Sequence, residues 1–496
     1  MNKQFVEWKT RIEGKKAAVI GVGISNRPLI KWLVSLGANV TAFDKLNDED
    51  PSIVAVKEEF ATEGISIEWS LGDGYLDKLQ NDKFDYVFKT PKMRFDIPQL
   101  QAAKSNGAVL TTEMELFISL CPCRIFGITG SDGKTTTTTL VSEMLKKAGY
   151  KVWLGGNIGT PLLSEVGNMT SEDMVVLELS SFQLLYLVNS VDVAIVTNVT
   201  PNHLDFHTDY DEYISSKTNI FRYQSALGKT VLNGSYDITY NMRDLTRGTV
   251  MFFAQDRKDT VRNGEESINP RAYIDNGILT VEENGTETSI IDENEIFIPG
   301  KHNAENFLAA ISAVWGYVSV DDIVYVAKNF KGVPHRIEFI RELDGVKYYN
   351  SSIDTSPNRT MNTMKALKSR GQKGVLITGG ADKKCIYTGL GDAILEVCDR
   401  IIIYGSNAPF VKDILEKEAN GRDYTLIELE STEGDVYEFP NTREKVRSKF
   451  VEALNSAREL AKPGEIVILS SIGTSYDHFR HFEHRGDMFK ELVNDM

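Results

Sequence analysis

The run Gly130-Ser131-Asp132-Gly133-Lys134-Thr135-Thr136 carries the strongest chemical signal in the sequence. A β-rich run, Arg124-Ile125-Phe126-Gly127-Ile128, leads into it and a helical stretch leads out. Backbone N–H groups in such a loop can cradle phosphates, the lysine can reach the β- and γ-phosphates, and a threonine hydroxyl can reach Mg²⁺. The loop is shorter than the ordinary Walker pattern, which would want glycine at the position of Ile128. The bland alternative is a Gly-Lys turn at a helix start. Five consecutive threonines after the lysine favour the phosphate reading.

Other candidate groups sit at strand ends, where parallel sheets leave their ligand crevice. Glu178 closes the run Met174-Val175-Val176-Leu177, with Ser180, Ser181 and Gln183 just beyond. His203 follows the run Val193-Ala194-Ile195-Val196-Thr197. Both segments project polar groups toward the lip that carries Lys134. Glu178 and His203 could hold Mg²⁺, a hard ion that also takes phosphate oxygens and water. The spacing His203-x-Asp205-x-His207 invites a zinc reading, but no third strong ligand is evident nearby, so zinc ranks below magnesium. The bland alternatives are a core histidine and an exposed strand end. Lys217, taken alone, is a surface lysine on a helix. Gly21-Val22-Gly23-Ile24-Ser25-Asn26, with Asp44 ending the next strand, resembles a dinucleotide fingerprint whose third glycine is replaced by Asn26. It fits either a nucleotide-like ligand or a tight turn with none. His302-Asn303-Ala304-Glu305-Asn306 could cap a helix or touch a base, and Pro334-His335-Arg336 reads first as a hinge with an arginine available for phosphate.

The elements that must position these groups alternate strand and helix three times. Lys16 to Ile20, a helical stretch over 27–36, and Asn39 to Phe43 form a βαβ unit, which predicts a right-handed crossover and a parallel sheet. The pattern restarts at Arg124 and again after Pro334, where Gly374 to Thr378, Arg400 to Tyr404 and Ile466 to Ser470 read as strands. The stretch 248–297, with its Asn-Gly pairs, is expected to be a small antiparallel sheet. A length of 496 residues suits about three domains. We expect an α/β protein with domains over 1–120, 121–333 and 334–496. A net charge of −15 argues against a general nucleic-acid or membrane-surface binder. Four cysteines with no framework or zinc spacing, and no long apolar run, point to the cytoplasm.

These motifs in this order resemble the Mur ligases of peptidoglycan precursor synthesis. The resemblance covers nearly the whole chain and rests on residues 23–30, 112–117, 130–136, 156–159, 178–184, 202–205, 302–306, 334–336, 379–384 and 475–486. It is nearest to the branch that adds D-glutamate to UDP-N-acetylmuramoyl-L-alanine, in the form seen in clostridia-like bacteria. The resemblance implies a Rossmann-like first domain for the UDP-linked substrate, a central P-loop ATPase-like domain, and a Rossmann-like third domain for the amino acid that closes over the site. It implies ATP and Mg²⁺ as cofactors, an acyl-phosphate intermediate, and a monomer.

Position by position, the resemblance implies that Ile24, Ser25, Asp44 and Lys45 contact the uridine diphosphate. Asn157, Ser180 and Gln183 would reach the substrate from the central domain. Gly130, Ser131, Asp132, Gly133, Lys134, Thr135 and Thr136 would hold ATP, with Asn303 and Arg336 on the nucleotide. Lys134, His203 and Lys217 would be catalytic, with Thr135, Glu178, His203 and a carbamylated Lys217 as metal ligands. Lys383, Ser475 and Phe482 would face the amino acid. The chain departs from the family at Lys92, where a glycine is usual and where its loss is expected to crowd or shift the diphosphate loop. It also departs at Ser351, usually aspartate, with Asp354 as a partial substitute, at Ile353, usually lysine, and at Ser471, usually proline. The rival readings are another Mur-type ligase with a different amino acid and a non-catalytic, ligase-derived nucleotide-binding protein.

Overall fold

The computed structural model describes residues 2–23, 26–203, 206–261, 270–298, 300–381, 387–429, 443–475, 479 and 481–496. They form two compact units, Met1–Phe330 and Lys331–Met496. The first unit holds two sheets and the second holds one.

The first sheet has strands β1 (Lys16–Ile20), β2 (Asn39–Asp44), β3 (Glu68–Leu71), β4 (Tyr86–Phe88) and β5 (Val109–Thr111), all parallel, in the order β3-β2-β1-β4-β5. Ala17 to Ile20 are buried without alternation, as a strand covered by helices on both faces requires. The helix Asn26–Ser35 that follows β1 buries Leu29, Ile30, Trp32 and Leu33. The order changes direction between β1 and β4. That places a crevice at the carboxyl ends of these two strands.

The second sheet has nine strands: β6 (Arg124–Thr129), β7 (Val152–Gly156), β8 (Met174–Glu178), β9 (Val193–Val196), β10 (Lys229–Asn233), β11 (Thr249–Phe253), β12 (Arg271–Asp275), β13 (Ile278–Glu283) and β14 (Thr286–Asp292). Their order is β14-β13-β12-β11-β10-β9-β6-β8-β7. The stretch 248–297 is therefore not a separate sheet. β11 pairs parallel with β10, and β12 parallel with β11; only β12 to β14 run antiparallel. Two of the three Asn-Gly pairs in this stretch make hairpin turns, with φ of 48° and 84° at Asn276-Gly277 and 52° and 76° at Asn284-Gly285, and Asn263-Gly264 lies outside the described residues. Local turn chemistry was legible, but the edge onto which the meander docks was not.

The second unit is built on β15 (Glu338–Leu343), β16 (Val346–Ser351), β17 (Gly374–Gly379), β18 (Cys398–Tyr404), β19 (Thr425–Glu428) and β20 (Ile466–Ser470), in the order β15-β16-β20-β17-β18-β19. All pairings are parallel except the β15–β16 hairpin. β17 and β20 are buried along their whole length, at the centre of this sheet.

Candidate active site

The glycine-rich loop joins β6 to the helix Lys134–Lys147. Gly130 and Gly133 have φ of +150° and +79°, and a Cβ there would stand 1.9 Å from Thr197 Oγ1 and 2.3 Å from Asn306 Oδ1. Only glycine fits either place. Neighbouring strand ends hold the loop open. Thr197 Oγ1 donates to Asp132 O at 2.6 Å, Asp132 N donates to Asn198 Oδ1 at 2.8 Å, and Ser131 Oγ lies 2.9 Å from both Thr200 O and Tyr213 OH. Lys134 Nζ donates to Gly130 O at 3.0 Å and Ser131 O at 2.8 Å, so the amine is folded over its own loop. Thr136 lies in the first turn of the same helix.

Glu178 is not an exposed strand end; it is 2 % exposed. Its Oε2 accepts from Thr135 Oγ1 at 2.7 Å and its Oε1 from Asn157 Nδ2 at 2.8 Å. One carboxylate thus ties the phosphate-loop threonine to a residue just past β7. Ser180 and Gln183 form a capping box. Gln183 Oε1 accepts from Ser180 N at 3.0 Å and Ser180 Oγ at 2.9 Å, and Gln183 N donates back to Ser180 Oγ at 3.3 Å.

His203 is not the core histidine of the bland alternative. His203 is exposed, at a left-handed φ of 56°, with its ring 4.8 Å from the Phe182 ring and 6.5 Å from Tyr213. His207 is the core histidine: its Nε2 lies 3.0 Å from Ser181 Oγ and its Nδ1 faces Glu212 Oε2 at 3.3 Å. Burial pushes the His207 imidazole below its ordinary range. Asp205 lies outside the described residues. Among those described, no three His, Cys, Asp or Glu side chains are grouped as metal ligands.

Lys217 is not a surface lysine. It is 1 % exposed on the inner face of the helix Tyr210–Arg222. Its Nζ donates to Gly130 O at 2.9 Å and lies 4.5 Å from the centre of the Tyr213 ring, one helical turn earlier. Burial first, and then the charge of Lys134, push this amine well below the ordinary lysine range, with Asp132 opposing.

On the first sheet, Asp44 uses both oxygens on backbone: Val22 N donates to Oδ2 at 2.9 Å and Leu46 N to Oδ1 at 3.1 Å. Lys45 beside it is exposed. Ile24 and Ser25 lie outside the described residues. Asn26 explains the missing third glycine. Its Nδ2 donates to Ile20 O at 2.9 Å and Gly21 O at 3.0 Å, closing the turn with a side chain. The Thr90–Met93 turn closes by Met93 N to Thr90 O at 3.1 Å. Lys92 is absent from the residues with positive φ, so glycine is not required there, and its Nζ lies 5.3 Å from the Phe182 ring centre. A cavity of about 240 Å³ is lined by Asn26, Lys89, Pro91, Thr112, Glu113, Met114, Gly156, Asn157, Gly159, Pro161 and Gln183. Asn303 is buried on the first turn of the helix Lys301–Val314.

A family profile described as the Mur ligase middle domain matches residues 128–314. Along the full length of both chains, the protein is 45 % identical to a UDP-N-acetylmuramoylalanine--D-glutamate ligase of Acetivibrio thermocellus and 44 % identical to one of Clostridium botulinum. The chain belongs to the Mur ligase family. Solved structures share its fold. MurC from Thermotoga maritima matches with a TM-score of 0.54 at 16 % identity, covering 97 % of this chain and 99 % of that one. MurF from Acinetobacter baumannii matches with a TM-score of 0.52 at 14 % identity, covering 98 % and 92 %.

In the second unit of this Mur ligase, Arg336 is exposed in the turn before β15. Ser475 is buried, and Phe482 opens the helix Phe482–Asp495, its carbonyl accepting from Ser352 Oγ at 2.8 Å. Lys383 and Lys384 lie outside the described residues. Ser351 is buried and its Oγ accepts from Ile337 N at 3.2 Å. Asp354 does not present its carboxylate as a substitute for the usual aspartate. It is 4 % exposed and accepts from Ser470 Oγ at 2.7 Å and Thr363 Oγ1 at 2.8 Å, and burial pushes its carboxyl upward. Ile353 is partly exposed.

Sequence reasoning missed Tyr213, Lys89, and the pair Arg94–Glu212. Tyr213 had a signal, since it stands four residues before Lys217 on one helix face. The pair had none, because its partners are 118 residues apart. Arg94 Nη1 and Nη2 donate to Glu212 at 3.0 and 2.9 Å, tying the segment after the Thr90–Met93 turn to the helix that carries Lys217. The Arg94 guanidinium holds the Glu212 carboxyl down at about 2. A carboxyl depressed in the folded state contributes stability above its unfolded value of about 4.3, and loses it as pH falls toward 2. Glu212→Gln is expected to cost about 1 kcal/mol at pH 7, roughly 2 °C in Tm. The gap to the wild type should hold from pH 6 to 8 and close steadily below about pH 4.3, as read by thermal unfolding across pH. A gap that does not depend on pH would show that the ion pair is not its source.

Proposed function

We propose that this Mur ligase joins D-glutamate to UDP-N-acetylmuramoyl-L-alanine in peptidoglycan precursor synthesis, converting ATP to ADP and phosphate. The observation that carries the reading is the direct link Thr135–Glu178–Asn157. It sets a phosphate loop one carboxylate away from the cavity that Asn157 and Gln183 line. The full-length relatives named as D-glutamate ligases support the choice of amino acid.

The muramoyl-alanine carboxylate attacks the γ-phosphorus of ATP, the bond to ADP breaks, and an acyl phosphate forms. The amine of D-glutamate then attacks its carbonyl carbon. A proton leaves to solvent, phosphate is expelled, and an amide remains. Two anions must meet in the first step, and the work of this chain is to make that tolerable. Lys134 supplies a cation at the loop, and the loop N–H groups of Gly130 to Thr136 cradle the phosphates. Thr135 and Glu178 are oxygen donors beside the loop that would hold Mg²⁺, and His203 and a carbamylated Lys217 would add to the set. Bound there, Mg²⁺ would neutralise phosphate charge. His203 would serve as a ligand and not as a base, because an imidazole engaged with a metal could not also accept a proton. Asn157, Ser180 and Gln183 orient the muramoyl end, and Asn303 and Arg336 contact the nucleotide.

In this reading residues 1–120, with Ile24, Ser25, Asp44 and Lys45, take the uridine diphosphate. Residues 121–333 take ATP, and residues 334–496, with Lys383, Ser475 and Phe482, take D-glutamate. A soluble UDP-linked sugar and ATP as substrates support a cytoplasmic enzyme, and we take it to work as a monomer. ADP release by the purified chain is expected only when both UDP-N-acetylmuramoyl-L-alanine and D-glutamate are present, with the amide product seen by mass spectrometry. Turnover with another amino acid while D-glutamate is inert would replace the assigned amino acid. No turnover with any acceptor and amino acid would favour a nucleotide-binding protein without ligase activity.

A further inference from the structure

Lys89 is the first residue after β4, the strand beside β1 at the point where the first sheet changes direction. It therefore stands at the crevice where parallel sheets of this kind bind ligands. Its side chain is 2 % exposed and lines the 240 Å³ cavity together with Asn26, Glu113, Asn157 and Gln183. The Nζ donates to Thr90 O at 3.4 Å and Pro91 O at 3.3 Å, both long. The rings of Phe95 and Tyr186 flank it, with centres at 4.9 and 5.2 Å. Lys89 makes no ion pair among the described residues. Glu115, on the helix Glu113–Leu120, is the carboxylate whose charge it feels, and Glu115 is itself engaged by Thr111 Oγ1 at 2.8 Å. A buried ammonium held only by two carbonyls and two ring faces is costly unless an anion arrives to pair it.

We infer that Lys89 binds an anionic oxygen of the diphosphate in the UDP-linked substrate. The inference rests on the ligase reading above and adds a residue to it. The reacting carboxylate must approach the loop of the second sheet, reached through Asn157 and Glu178. Lys89 enters the cavity from the opposite sheet, whose strand ends would take the nucleotide end. The diphosphate is the anion of the substrate that lies between those two ends. Two rings and a tight cavity wall fix the amine, so it is pre-organised for one phosphate oxygen.

The groups facing Lys89 set the pH behaviour. Burial lowers its amine to about 8, with Glu115 opposing. Burial raises the carboxyl of Glu113, across the same cavity, to about 7, and raises the Tyr186 phenol, which therefore stays neutral. As pH rises through about 8 the free amine loses its proton, and affinity for an anion falls.

The test is calorimetric binding of UDP-N-acetylmuramoyl-L-alanine to the wild type and to Lys89→Met, a substitution that keeps the length and removes the charge. Loss of a charge-assisted bond should weaken Kd by about 10- to 100-fold. In turnover, KM for the UDP-linked substrate should rise by a similar factor, while kcat and the KM values for ATP and D-glutamate stay within about twofold. A folded Lys89→Met protein with the wild-type Kd overturns the inference. Should that variant not fold, the wild type alone decides: its Kd should weaken progressively from pH 7.5 to 9, and a flat profile overturns the inference. A wild type that binds no UDP-linked substrate at any pH sinks the ligase reading itself. A wild type that binds normally, with a variant that binds equally well, sinks only the role of Lys89.

Discussion

Lys134→Ala should lower the ligation rate by about 1,000-fold or more while leaving the folded protein intact. The side chain donates to two carbonyls of its own loop, and it is half-buried and not part of a core cluster. Gly130 and Gly133 set the loop geometry by their backbone angles, which the substitution does not touch. What is lost is the cation that offsets repulsion between the attacking carboxylate and the γ-phosphate. The check is the ligation rate beside a thermal melt: a lost rate at an unchanged Tm is the expected pair of results. A folded Lys134→Ala protein with undiminished ligation would sink the assignment of this loop to ATP. The variant has a second consequence. Lys134 is the second cause of the depressed amine at Lys217, so its removal should move Lys217 back toward the ordinary lysine range.

Lys217→Ala should be nearly inactive, again by about 1,000-fold or more, and high bicarbonate should not restore it. A lysine that is 1 % exposed, bonded to Gly130 O and repelled by Lys134, is in poor surroundings for a permanent ammonium. A neutral amine can attack CO₂, forming an N–C bond and releasing a proton to solvent, and the product is an anionic oxygen donor beside the phosphate loop. That change of charge converts a local repulsion into a ligand for Mg²⁺. The expected signature is a carbamate carbon resonance in wild-type protein equilibrated with ¹³C-bicarbonate, absent from Lys217→Ala. A structure with nucleotide and Mg²⁺ bound that shows a bare ammonium at Lys217 would count against the idea. Truncating a buried side chain also opens space, so the melt of Lys217→Ala should drop by a few degrees, roughly, and this is separable from the loss of rate.

The sequence by itself determined whatever depends on neighbours in the chain. The glycine-rich turn between β6 and its helix was legible because glycines that need positive φ fall between an apolar run and a helical stretch within a few consecutive residues. The parallel strands were legible because unbroken apolar runs such as Met174 to Leu177 fit only a strand buried on both faces. The Asn-Gly hairpins were legible for the same local reason. The tertiary structure alone decided which groups are buried and beside what. Lys217 reads as a surface lysine until Gly130, 87 residues away, is brought against it. His203 and His207 have the same side chain and nearly the same sequence context, yet one ring is exposed against Phe182 and the other is enclosed with Ser181 and Glu212. Asp354 reads as a partial substitute for the usual aspartate until Ser470 and Thr363 close over it. Lys89 reads as nothing until two sheets form a cavity around it. Desolvation and charge–charge coupling act through space over a few ångströms, and the chain brings those partners together only when its sheets assemble.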